Sequence, residues 1–162
     1  MKKKIYIASP FGFSEAGRDY MYGTVLPIVL EQGFEILDPW KLTPAHLIQE
    51  VNSMPYGIEK KNKWKELNQV IASHNTEALR ACDGLFAILD GVDVDSGTAS
   101  EIGFVAALGK PVVGYRGDFR LSADNEGSTV NLQVQYFIEM HGGHLITELS
   151  GLGESLNTVF GT

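Results

Sequence analysis

Residues Gly84–Leu89 (GLFAIL) carry no charged or hydrogen-bonding side chain, and the chain turns polar again at Asp90-Gly91. A run this short and this apolar reads as a buried strand, because it offers no polar face to water. Lys4–Ala8, Phe34–Leu37, Pro111–Tyr115 and His144–Ile146 read as strands too. Between them lie segments with helical spacing of apolar residues: Ala16–Gln32, with Pro27 as a kink and Gly33 as its stop, then Ile58–Cys82, Thr98–Leu108, Asn131–Met140 and Leu149–Val159. Trp40–Met54 reads as irregular or short-helical and Arg116–Thr129 as a loop, and the stretches near Trp40–Tyr56 and Arg116–Thr129 are candidate site-building segments. Strands alternating with helices imply parallel βαβ units. The expected fold is α/β, with residues 1–162 as a single domain and a doubly wound parallel sheet of about five strands carrying helices on both faces.

Charge and motif content remove several classes of function. The 13 Lys and Arg against 20 Asp and Glu give a net charge of −7, the wrong sign for a nucleic-acid polymer surface. No apolar run approaches the ~18 residues of a membrane span. No leader pattern follows Met1, so a cytoplasmic location is expected. Cys82 is alone, which excludes an intrachain disulfide and suits a small buried hydrophobe. His46, His74, His141 and His144 lack metal-ligand spacing, and no serine sits in a nucleophile elbow. The turn Ser9-Pro10-Phe11-Gly12-Phe13 has neither the dinucleotide fingerprint nor a phosphate loop, so no cofactor is expected.

Chemistry concentrates in Asp93-Val94-Asp95-Ser96-Gly97-Thr98-Ala99-Ser100-Glu101-Ile102-Gly103, the turn between the Gly84–Leu89 strand and the next helix. That position is the carboxyl edge of a parallel sheet, where open α/β folds bind ligands. Glu101 is the candidate carboxylate nucleophile. Thr98-x-x-Glu101 also fits a capping box, a purely structural task for the same side chain. Asp93 reads as turn chemistry and Asp95 as a second functional carboxyl, with magnesium at the two aspartates as a minor alternative. Two carboxyls, one attacking and one handling a proton, are the standard equipment for glycosyl transfer with retention. Phe11 and Phe13 offer faces on which a planar base can stack, one of the two being expected in the core.

The segments Ile5–Phe11, Asn75–Asp83, Asp95–Phe104 and Asn131-Leu132 together resemble the nucleoside 2-deoxyribosyltransferase family over roughly residues 4 to 140. The resemblance implies a flavodoxin-like fold, no cofactor, and exchange of the nucleobase on 2′-deoxyribose through a covalent sugar–enzyme intermediate. It makes Glu101 the nucleophile, Asp95 the proton carrier and Tyr6 the hydroxyl that holds the nucleophile. It places Phe11, Ser9, Gly97 and Asn75 around the substrate. It also assigns Asn131 to a neighbouring subunit's site and puts Gln133 beside the sugar, so a homo-oligomer, at least a dimer, is expected. Two positions depart from the family pattern: Asn75 stands where aspartate is frequent, and Gln133 where methionine is common.

Two other functions compete. One is hydrolysis of a (deoxy)nucleoside 5′-monophosphate by the same nucleophile, which would want a basic group on the phosphate, Arg18 or Arg116 being the candidates. The other is a non-catalytic nucleoside-binding module, since fold alone does not separate binder from enzyme.

Overall fold

Five short strands, β1 (Lys4–Ala8), β2 (Glu35–Leu37), β3 (Gly84–Ile88), β4 (Val112–Tyr115) and β5 (His144–Ile146), lie side by side in the order β2-β1-β3-β4-β5. Every pairing is parallel. This is the flavodoxin-like order of a doubly wound sheet. The computed structural model of the chain describes residues 2–161.

Alternation along the strands sorts the core into two layers. Ile5, Ile7, Phe86, Ile88 and Val113 face one side. There they meet α1 (Glu15–Tyr20), α2 (Leu26–Glu31) and α8 (Leu152–Phe160), including Val29, Leu156 and Phe160. Tyr6, Ala8, Leu85, Ala87 and Leu89 face the other side, beneath α5 (Ile58–Ala81), α6 (Ser96–Ala107) and α7 (Leu132–Glu139). With both faces covered, β3 has no use for a polar side chain, which explains the unbroken apolar run.

Several helices differ from the sequence reading in ways that have local causes. The expected Ala16–Gln32 helix is divided into α1, a π turn over Met21–Val25, and α2. Pro27 lacks an N–H, and just before it the ladder widens, Leu26 N–H reaching Met21 O. Trp40–Met54 is mostly two short helices, α3 (Pro39–Leu42) and α4 (Ala45–Ser53). The final helix starts at Leu152, after a 3₁₀ turn over Leu149–Gly151. At the far end of the 24-residue α5, Lys110 Nζ donates to the carbonyls of Leu79, Arg80 and Cys82 at 3.1, 2.6 and 2.7 Å. A cation there satisfies carbonyls that the helix leaves over, at the negative end of its dipole. Among the described residues, no helix is long and apolar enough to cross a membrane.

Candidate active site

From β1 the chain crosses to β2 on one side, and from β3 to β4 on the other. A crevice therefore opens at the carboxyl ends of β1 and β3, the switch point of the sheet. It holds a cavity of about 490 Å³. A larger hollow of about 690 Å³ runs along the outer edge of β2 past Tyr22, Leu30 and Asp38. None of the acidic turn reaches it, so the chemistry belongs to the smaller cavity.

The floor is built by α6, with β1 supporting it from behind. Thr98, Glu101, Ile102 and Val105 recur at helical spacing, so the face that buries Ile102 and Val105 on the sheet also turns Glu101 inward. Tyr6, an inward residue of β1, donates its hydroxyl to Glu101 Oε1 at 2.6 Å. Burial lifts the Glu101 carboxyl to about 7; the Tyr6 hydrogen bond pulls it down, and the Asp95 charge adds a further push upward. Burial, then the Glu101 charge, holds Tyr6 far above the ordinary phenol range, so it stays a donor.

Asp95 is the residue that starts α6. Its Oδ2 accepts the Thr98 N–H at 3.0 Å and the Thr98 hydroxyl at 3.3 Å. The capping box of Thr98 with Glu101 is therefore not formed: the cap is Asp95, α6 begins two residues earlier than expected, and Glu101 is free to face the cavity. Asp93 turns back on Val94 N–H at 2.7 Å, an exposed turn contact away from the cavity lining.

The walls come from elements far apart in sequence. Ser9 lies on the lining, its hydroxyl accepting Phe11 N–H at 3.1 Å, and Gly97 lies at the start of α6. Trp64, Ile71 and Asn75 share one face of α5, at intervals of seven and four. Asn75 Oδ1 is buried with no hydrogen-bond partner among the described residues. Trp40 supplies an aromatic wall from α3, with Phe13 edge-on to it at 4.7 Å between ring centroids. Gly12 permits this close packing, since a Cβ there would overlap the Trp40 ring.

Phe11, expected on the base wall, is not part of the lining. It packs into the α1–α2 side of the core and meets Tyr20 edge-on at 5.9 Å, and Phe13 takes the cavity side of the turn. Asn131 and Gln133 do not line the cavity either. Asn131 caps α7, with Oδ1 accepting Gln133 N–H and Val134 N–H, and its amide nitrogen donates to Asp124. Of the two candidate site-building segments, the first supplies Trp40 and Ile48; the second stays off the lining. Arg116 is buried, its guanidinium spent on the carbonyls of Leu89, Gly91 and Arg120, and Arg18 donates to Gly12 O at 3.0 Å. Neither arginine reaches the cavity lining. Pro39, Trp40, Ile48, Trp64, Ile71 and Thr98 also line the cavity, and sequence reasoning named none of them as a site residue.

A family model described as nucleoside 2-deoxyribosyltransferase matches residues 5–133. A Schizosaccharomyces pombe protein is 36% identical over 69 residues, 40% of this chain; the chain spans 33% of that protein's length. Among solved structures, a conserved protein from Enterococcus faecalis is 26% identical, with a TM-score of 0.68 over 97% of this chain and 98% of that one. A 2-deoxyribosyltransferase from Bacillus psychrosaccharolyticus is 22% identical, with a TM-score of 0.61 over 93% and 90%. A CMP N-glycosidase from Clostridium botulinum is 18% identical, with a TM-score of 0.55 over 96% and 98%. The last two likenesses are likenesses of fold.

Proposed function

The chain belongs to the nucleoside 2-deoxyribosyltransferase family, and from that premise we propose that it transfers 2-deoxyribose between nucleobases through an ester on Glu101. The observation that carries the reading is the hydrogen bond from the buried Tyr6 to Glu101, whose carboxyl lines the same cavity as Asp95. Glu101 attacks C1′ as the C1′–N bond breaks, and the bonding pair leaves with the base. Asp95 supplies the base with its proton. The incoming base then attacks C1′ from the face the first base left, returns its proton to Asp95 and frees the Glu101 carboxylate. Two displacements at one carbon give net retention and split one difficult step into two. Trp40, Trp64 and Phe13 provide the apolar faces for a planar base, and the unpartnered Asn75 amide provides a polar contact for its edge.

A free nucleoside is favoured over a nucleotide because no Lys, Arg or His lines the cavity among the described residues. A buried dianion with no cation would be costly. Hydrolysis of a 5′-monophosphate is the second reading, since water can take the sugar from the same ester. Asn131 and Gln133 serve the site of a second copy, which makes the working unit at least a dimer. The exposed apolar side chains of Leu132 and Tyr136 beside them suit such a contact.

The test is to incubate the chain with 2′-deoxyinosine and adenine, with thymidine and cytosine, and with CMP and dCMP, and to separate the products. New deoxynucleosides support transfer. Free base alone means hydrolysis, and no turnover of any of them leaves a binding module. Mixing Glu101→Ala with Asn131→Ala checks the shared site: activity regained in the mixture is expected, and none regained removes the shared-site proposal.

A further inference from the structure

Asp95 performs two tasks with one carboxyl group. Its Oδ2 is bound twice by the same residue, by Thr98 N–H and by the Thr98 hydroxyl, and its Oδ1 has no hydrogen-bond partner among the described residues. The first bond is one that any residue at this third helical position could give. The second is special to a hydroxyl. Thr98 is 2% exposed, so the hydroxyl is shielded from competing water. With one bond alone, an aspartate swings about its Cβ–Cγ axis and presents either oxygen. With two donors on one oxygen, the carboxyl plane is held and the other oxygen alone is left to exchange a proton.

We propose that the Thr98 hydroxyl is a positioning group that dedicates Asp95 Oδ2 to the helix cap and Oδ1 to the nucleobase. The proposal rests on Asp95 being the proton carrier of the transferase reading. In the first half-reaction the proton leaves Asp95 Oδ1 for a ring atom of the base as the C1′–N pair departs and the Glu101–C1′ bond forms. In the second half-reaction the same oxygen takes the proton back. Thr98 neither gains nor loses a proton; its removal slows the steps in which Asp95 gives or takes one, and spares only the departure of a leaving group that needs none.

The experiment compares Thr98→Val and Thr98→Ser with the parent on two donors. One is whichever of 2′-deoxyinosine, 2′-deoxyadenosine, thymidine or 2′-deoxycytidine the parent exchanges fastest. The other is 4-nitrophenyl 2-deoxyriboside, whose phenolate departs without a proton. On the nucleoside, Thr98→Val is expected to lower kcat roughly tenfold with KM held within about twofold, the effect of losing one ordinary hydrogen bond. On the aryl donor, read as the first-turnover release of 4-nitrophenolate, it is expected to lower the rate less than about threefold, and Thr98→Ser is expected to stay near the parent on both. No loss on the nucleoside, an equal loss on both donors, or a Thr98→Ser variant as slow as Thr98→Val overturns the proposal and leaves the transferase reading standing. A parent that exchanges none of the four nucleosides overturns that reading and the proposal with it.

Discussion

The Tyr6 hydroxyl lies 2.6 Å from Glu101 Oε1, joining a residue of the first strand to one 95 positions later. The contact opposes the burial that otherwise favours the protonated acid, and the carboxyl proposed as nucleophile stands at about 7. Attack requires the carboxylate, so activity rises with pH through a limb near 7. Tyr6→Phe removes the influence that lowers this value, and the limb moves upward. A hydrogen bond to a charged group is worth about 1.5–3 kcal/mol, so the shift is on the order of one pH unit or more. The pH dependence of kcat/KM for both proteins measures it, and an unmoved limb would separate Tyr6 from the nucleophile.

The same burial makes Glu101 a liability to folding. Its carboxyl sits at about 7 in the folded chain against an ordinary 4.5. The folded state therefore binds the proton more tightly. Stability is fully present below 4.5, falls as pH rises toward 7, and stays lower above it, by roughly 3 kcal/mol at most. Glu101→Gln keeps the shape and an acceptor for Tyr6 without the charge. It is expected to match the parent at pH 4.5, to exceed it at pH 8, and to be inactive. Urea denaturation at the two pH values reads the difference; equal stabilities at pH 8 would contradict the burial argument.

What the sequence displayed about this site, and what it hid, follows from how local each signal is. The apolar run Gly84–Leu89 and the acidic turn after it are contiguous, so β3, α6 and the pair Asp95 and Glu101 could be read directly. The cap of α6 could not, because Asp95-x-x-Thr98 and Thr98-x-x-Glu101 are overlapping capping patterns. The choice between them is made by Tyr6, which no local pattern connects to Glu101. Phe11 and Phe13 stand two residues apart on a tight turn whose backbone direction decides which ring enters the core. Trp64 gave the same periodic signal as a core residue. Trp40 lies in a four-residue helix too short to show any period.

Asp95 caps α6, and two substitutions separate that task from its proposed role as proton carrier. Asparagine caps a helix about as well as aspartate, whereas alanine costs about 1 kcal/mol. Asp95→Asn is expected to keep the parent's thermal midpoint and Asp95→Ala to lose several degrees. Both are expected to lose at least about a hundredfold in nucleoside exchange, the usual worth of a positioned general acid. Retained exchange in Asp95→Asn would remove Asp95 from the proton path.

Lys110 bears on stability alone. Three carbonyls at the end of α5 lose their donor in Lys110→Met, along with the favourable charge at that helix end. The expected loss is about 1–3 kcal/mol in chemical denaturation, with exchange rates unchanged at temperatures where the variant stays folded. A neutral result would mean that water replaces the ammonium at no cost.

Asn75 is where this chain departs from the family pattern in a way the structure makes consequential. Its carbonyl oxygen is buried without a partner beside the cavity, an arrangement that costs about 1–3 kcal/mol unless a ligand completes it. An amide both donates and accepts, so by turning over it can meet an amino or an oxo group on a base. An ionised aspartate only accepts, and so favours the amino group. The parent is therefore expected to use adenine and hypoxanthine as acceptors at similar rates. Asn75→Asp is expected to raise the adenine preference roughly tenfold, and Asn75→Leu to depress both alike, as a site with an unmet polar contact does. Competition between the two acceptors in one reaction mixture gives the ratio directly. A ratio that Asn75→Asp leaves untouched would place Asn75 outside contact with the base edge.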